Sequence, residues 1–151
     1  MEALGVAASI VGIVSIAIQG IDSIQKLRDF CHDFSTINQA SQEFQKQLVY
    51  LDSILKEVRK VCSQLEDANY TKKNDFNLAT LLIQVEDCTA DLSQWNAIAD
   101  RLVRKKVEKG SVRNVFESFL KAINKRAISD ASRQTDVHLN NIHLALSTLS
   151  L

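Results

Sequence analysis

The sequence predicts an all-α fold, a single helical bundle of about five helices, and three observations lead there. The 151-residue chain has no Pro and only four Gly, three of them within the first twenty residues. Tight hairpins draw on Gly, Asn-Gly or Pro turns, so an all-β architecture would lack its turn residues. Apolar side chains recur three or four residues apart along most of the chain, the spacing of one helical face. Apolar content of 46% and charged content of 24% are those of a globular domain. A chain of this length buries a core without metal or disulfide staples, so residues 1–151 read as one domain.

The first helix is expected from about Ala3 to Phe30. Its opening, Ala3–Ile21 (ALGVAASIVGIVSIAIQGI), carries no charged side chain. As a helix that segment is about 28 Å long, close to the ~30 Å hydrocarbon thickness of a bilayer. Gly5, Ser9, Gly12, Gln19, Ser23 and Lys26 form a narrow small-and-polar stripe, interrupted by Ile16, with Ile or Val nearly everywhere else. The β-branched residues lower helix propensity. The apolar residues do not alternate with period two, however, and the pattern merges into the helical QKLRDF stretch. The start Met1-Glu2 supplies no basic segment, which argues against a secretory signal.

Ser35 is a candidate N-cap for the second helix, whose face runs Ile37, Ala40, Phe44, Leu48, Leu51, Leu55, Val58, Cys62 and Leu65. The polar stretch EDANYTKKND then reads as a loop. The third helix repeats the geometry through Leu78, Leu82, Val85, Cys88, Leu92, Trp95, Ala99 and Leu102. It ends in the basic run RLVRKKVEKG, with Gly110 as its stop. Ser111 is placed to cap a short fourth helix through Val115, Phe116, Phe119 and Ile123, and a fifth carries Leu139, Ile142, Leu146 and Leu149. The second and third helices are long and share one connection, which predicts antiparallel packing of the two.

Catalytic patterns are missing. Cys31, Cys62 and Cys88 are three in number with no CxxC spacing, and read as reduced, buried thiols of an intracellular protein. His32, His138 and His143 lack the i, i+4 spacing of helical metal ligands. The adjacent side chains of Cys31 and His32 diverge on a helix, so they form no dyad. Glu86, Asp87 and Asp91 read as a solvated acidic face, and no Gly-rich loop follows a strand to cradle phosphate. The expectation is a protein that is not an enzyme, with no cofactor, no metal and no small-molecule substrate.

Charge is unevenly spread. Net charge is zero, yet residues 1–100 hold eight basic and fourteen acidic side chains, whereas residues 101–126 hold nine and two. The basic set is Arg101, Arg104, Lys105, Lys106, Lys109, Arg113, Lys121, Lys125 and Arg126. Read plainly, it is a solvated surface that also complements a helix C-terminus. As a binding surface it suits an anionic partner, since each Lys or Arg near an anionic leaflet contributes about 1 kcal/mol. Nucleic acid fits poorly, because the basic zone has little aromatic interleaving and no recognition motif. The first helix likewise has two readings: the centre of a bundle, packed against the second, third and fifth helices, or a membrane helix whose small residues permit close pairing.

The opening MEALGVAASIVGIVSIAIQGI, followed by a basic-acidic heptad region, resembles the start of fungal HeLo-like domains. These are N-terminal domains of fungal STAND/NLR-type receptors and amyloid-signalling death effectors. The similarity continues through the Leu48–Leu65 helix and the Cys88-to-Trp95 stretch, and returns in the closing VHLNNIHLALSTLSL. It covers nearly the whole chain, as pattern and not as invariant motif; fungal SesA-type N-terminal domains are almost as similar. The resemblance implies a helical bundle that executes regulated cell death at the plasma membrane, likened to the four-helix killer domains of animal necroptosis and plant resistance proteins. The family's functional element, a glycine-bearing N-terminal helix, falls here on Ala3–Ile21. Gly5, Gly12 and Gly20 are seven and eight apart, which departs from GxxxG spacing. Such effectors often bear a C-terminal amyloid motif and such receptors a nucleotide-binding domain. The chain has neither, and is expected to be an excised domain.

These readings give a candidate membrane-inserting set of Leu4, Gly5, Val6, Ser9, Ile10, Gly12, Ile13, Ile16, Ala17 and Gly20, and the nine basic residues as the anionic-lipid-binding set. Expected partners are anionic membrane lipids, further copies of the chain, and an activating partner acting through a C-terminal region. The expected location is cytoplasmic, with regulated recruitment to the plasma membrane. The alternative is a signalling domain that binds protein and never enters a bilayer.

Overall fold

All described residues are helical. The computed structural model describes residues 2–34, 39–67, 75–108, 115–123 and 130–147. They form α1 (Glu2–Phe34), α2 (Gln39–Asp67), α3 (Asp75–Glu108), α4 (Val115–Ile123) and α5 (Asp130–Ser147). Over the described residues the fold is therefore an all-α bundle of five helices. The expected cap and stop residues Ser35, Gly110 and Ser111, with Ile37 and Leu149, lie outside the described residues.

Three-and-four spacing sets which side chains turn inward. On α2, Phe44, Leu48, Leu51, Leu55, Val58, Cys62 and Leu65 are all buried. A second buried row beside them, Gln47, Ile54 and Val61, widens that face. On α3 the buried row is Leu78, Leu81, Val85, Cys88, Leu92, Trp95 and Ala99, with Leu82 and Leu102 at its margin. On α5 the inward row is His138, Ile142 and Ala145, while Leu139 and Leu146 pack at the edge.

The packing order differs from the expected one in two respects. α1 packs along α2 and α3, and α5 packs along the same two helices from the other side. The long helices thus stand in the cyclic order α1, α2, α5, α3, and α2 faces α3 across a diagonal instead of lying beside it. α5, expected as a neighbour of α1, is diagonally opposite. The cause is α1 itself: apolar on most sides, it is best buried as a wedge with a helix on each flank. Gly20 marks the wedge, because a Cβ there would sit 2.8 Å from Leu55 Cδ1 of α2 and 2.9 Å from Thr89 Oγ1 of α3.

α1 and α3 run parallel. Thr89 Oγ1–H donates to the Ile16 carbonyl at 3.3 Å, and Asn96 Nδ2–H donates to the Ser23 carbonyl at 2.8 Å, both across a sequence separation of 73. Near the C-terminal ends of α1 and α3, α4 closes the bundle with a cluster of rings. Phe30 lies 4.9 Å from Phe119 and 6.1 Å from Phe116 between ring centroids, and Phe44 lies 5.8 Å from Phe119 and 6.0 Å from Trp95. Aromatic pairs at these separations add about 0.5–1.5 kcal/mol each beyond their burial.

Candidate membrane-contacting surface

The membrane-inserting candidates lie mostly on the inner side of α1. Ile10, Ile13, Ala17 and Gly20 are buried, and Ser9, Gly12 and Ile16 are half-buried. Leu4, Gly5 and Val6 belong to the first turns of the same helix. The seam with α3 is Gly12, Ile16, Gly20 and Ser23, with Leu82 4.0 Å from a Cβ built at Gly12. Of the small-and-polar stripe, Ser9, Gly12 and Ser23 are half-buried, as is the interrupting Ile16, whereas Gln19 and Lys26 are exposed. Without a side chain in the way, Gly20 lets α3 approach closely enough for Thr89 to reach the Ile16 carbonyl.

What α1 shows outward is a different row. Val11 is 63% exposed and Ile18 39%, with Ser15, Gln19 and Asp22 beside them. The stretch Ser9–Phe34 is long and apolar enough to cross a membrane by length and composition. Its second half is poorly suited to hydrocarbon, since Asp22, Lys26, Arg28, Asp29 and Asp33 are all exposed there.

Of the basic candidates, Arg101, Arg104, Lys105 and Lys121 are exposed. Lys106 lies in the last turn of α3. Lys109, Arg113, Lys125 and Arg126 lie outside the described residues. The parallel register of 73 sets Arg101–Lys105 level with residues 28–32 of α1. At 1.5 Å per residue, the glycine-bearing start of α1 is then roughly 35–40 Å away along the bundle axis. The start of α1 and the described basic residues of α3 therefore stand far apart, whereas Gly20, the last of the membrane-inserting candidates, is only about 12 Å short of the Arg101 level. A groove of about 600 Å³ opens between α1 and α3 at the basic end, where Lys26 and Arg104 are offset by Asp29 and Asp100. It carries no net charge, so it is not an anion cradle.

Sequence reading missed two polar features. His138, 3% exposed, holds Asp91 Oδ2 at 2.7 Å from its Nε2, and Gln47 Nε2–H donates to Asp136 at 3.3 Å. The available signal was position: His138 stands one turn before Ile142 on the core row of α5, where a polar residue needs a partner. Cys31, Cys62 and Cys88 are buried free thiols. Burial pushes them up to about 12, 11 and 12, with Asp91 adding to the rise at Cys88. Such thiols stay protonated and behave as small apolar side chains. Among the described residues there is no group of three or more His, Cys, Asp or Glu placed to hold a metal ion.

Comparisons with protein-family models, with curated proteins and with solved structures give no significant match to this chain.

Proposed function

We propose that the chain is a HeLo-like membrane-targeting domain that permeabilises membranes as the execution step of a regulated cell-death pathway of the fungal immune or amyloid-signalling kind. The observation that carries this reading is the division of α1. Its uncharged part, up to Ile21, matches a bilayer in length and keeps Val11 and Ile18 on the surface, while charge begins at Asp22. At rest the inner side of α1 is stored against α2 and α3. On activation, clustering of several copies favours the exchange of core contacts for lipid contacts, and since both surroundings are apolar the exchange is close to balanced. The exposed Arg101, Arg104, Lys105 and Lys121 hold the domain on anionic lipid. The domain works from the cytoplasm at the plasma membrane, without enzymatic activity, cofactor, small-molecule substrate or nucleic acid.

A second reading, a protein-binding signalling domain at the N-terminus of a STAND receptor, is favoured by the burial of Ile10, Ile13, Ala17 and Gly20. One experiment separates them. Purified chain is added to dye-loaded vesicles of phosphatidylcholine and phosphatidylserine, beside a Val11→Asp/Ile18→Asp variant. Both substitutions fall on the outer row, so the core is untouched and helicity is retained. Release by the parent and none by the folded variant is the expected result. No release from the parent at any protein-to-lipid ratio would end the membrane reading.

A further inference from the structure

α1 is one helix by backbone but two by anchorage, and the division falls at Gly20. Toward the C-terminus, Ile24, Leu27, Phe30 and Cys31 are buried, and Phe30 is locked among Phe34, Phe116 and Phe119. Toward the N-terminus, Ile10, Ile13 and Ala17 are buried with Val14 and Ile16 packed beside them, and Val11 and Ile18 face out. Each part has its own polar tie to α3: Asn96 to the Ser23 carbonyl on one side of the division, Thr89 to the Ile16 carbonyl on the other. Gly20 lies between the ties. Close packing against Leu55 and Thr89 explains why a side chain is missing there. The same absence gives that position, like Gly5 and Gly12, more backbone freedom than the residues around it.

We infer that α1 opens as a half-helix: residues up to about 19 detach by bending at Gly20, residues from Ser23 onward stay anchored under α4, and Thr89 is the latch. The inference deepens the proposed function and rests on it for its purpose, because the detachable part is uncharged from Ala3 onward. Residues 2–19 as a helix are about 27 Å long, close to the ~30 Å hydrocarbon thickness, and the anchored part keeps every charged residue from Asp22 onward in water. It also resolves the separation of the two candidate surfaces. A half-helix that swings about Gly20 covers the distance that a rigid bundle cannot.

Thr89→Val removes the donor while keeping the branched shape, and leaves the Ile16 carbonyl with its own helical bond. Native-state hydrogen exchange on the full chain, without membranes, then reads each part of α1 separately. Loss of one hydrogen bond is expected to speed exchange about five-fold across Ile13–Gln19. Residues Ile24–Cys31 and the core residues of α5 keep parent rates, and Thr89→Ser, which restores the donor, returns Ile13–Gln19 to the parent rate. Equal acceleration of both parts of α1 and of α5, or no acceleration anywhere, would overturn the half-helix. Vesicle leakage is measured in parallel. A Thr89→Val chain that exchanges as expected but releases no dye keeps the half-helix and removes the membrane reading.

Discussion

Gly12 and Gly20 look alike in the sequence, eight residues apart in one apolar helix, yet the fold uses them differently. A methyl group at Gly12 would meet Leu82 at 4.0 Å, ordinary contact, whereas one at Gly20 would meet two atoms inside 3.0 Å. Gly12→Ala is therefore expected to stabilise by about 0.5–1 kcal/mol through helix propensity, and Gly20→Ala to destabilise by about 1–3 kcal/mol through overpacking. Urea midpoints of the two variants check this, and equal midpoints would contradict it. The thiols make a second case. Native chain should react with Ellman's reagent far more slowly than urea-unfolded chain, in which all three cysteines become available. From pH 9 upward the unfolded chain releases these protons, while the folded chain holds them to about 11–12. Fewer protons on the unfolded state means that stability falls as pH rises through that window. A Cys88→Ala variant should show a shallower fall over the same range.

At the level of helices, three-and-four spacing identified the rows that became the core of α2 and α3, because one wide apolar face admits only one orientation. It was less informative wherever partners decide the outcome. Leu81 is fully buried and Leu82 marginal, since α3 faces α1 on one flank and α5 on the other. On α5, Ile142 is buried as its spacing predicts, but His138 and Ala145 complete the buried row and Leu139 and Leu146 pack at its edge. Nothing within α5 announces the Asp91 that makes a buried His tolerable; that residue comes from another helix, 47 positions away. His138→Ala, which removes the hydrogen bond and leaves a cavity, is expected to cost about 2–3 kcal/mol in equilibrium unfolding. α4 is short, yet its rings hold the ends of α1, α2 and α3. Phe119→Ala should cost about 3–5 kcal/mol, and Lys121→Ala on its exposed side close to nothing.

For the whole molecule, the sequence disclosed the number and character of the helices but not their arrangement. The arrangement follows from α1 needing cover on two flanks, a requirement that no single segment states. It also carries the functional difficulty that the basic residues and the uncharged helix start stand at opposite ends. If lipid is the anionic partner, binding should be electrostatic at one end only. Arg101→Glu, Arg104→Glu and Lys105→Glu together should weaken vesicle binding by about 100-fold or more at low salt, with the parent losing most of its advantage as ionic strength rises. Co-sedimentation with anionic and neutral vesicles measures both effects, and unchanged binding would remove these residues from the surface. The parallel pairing of α1 with α3 has one more consequence, for the order in which the chain is made. The partner atoms of α1 lie 73 residues downstream. At about 5–20 residues per second of synthesis, the uncharged helix waits on the order of 4–15 s for the helix that covers its seam. During that interval the nascent chain presents one flank of its most apolar segment to whatever surrounds the ribosome.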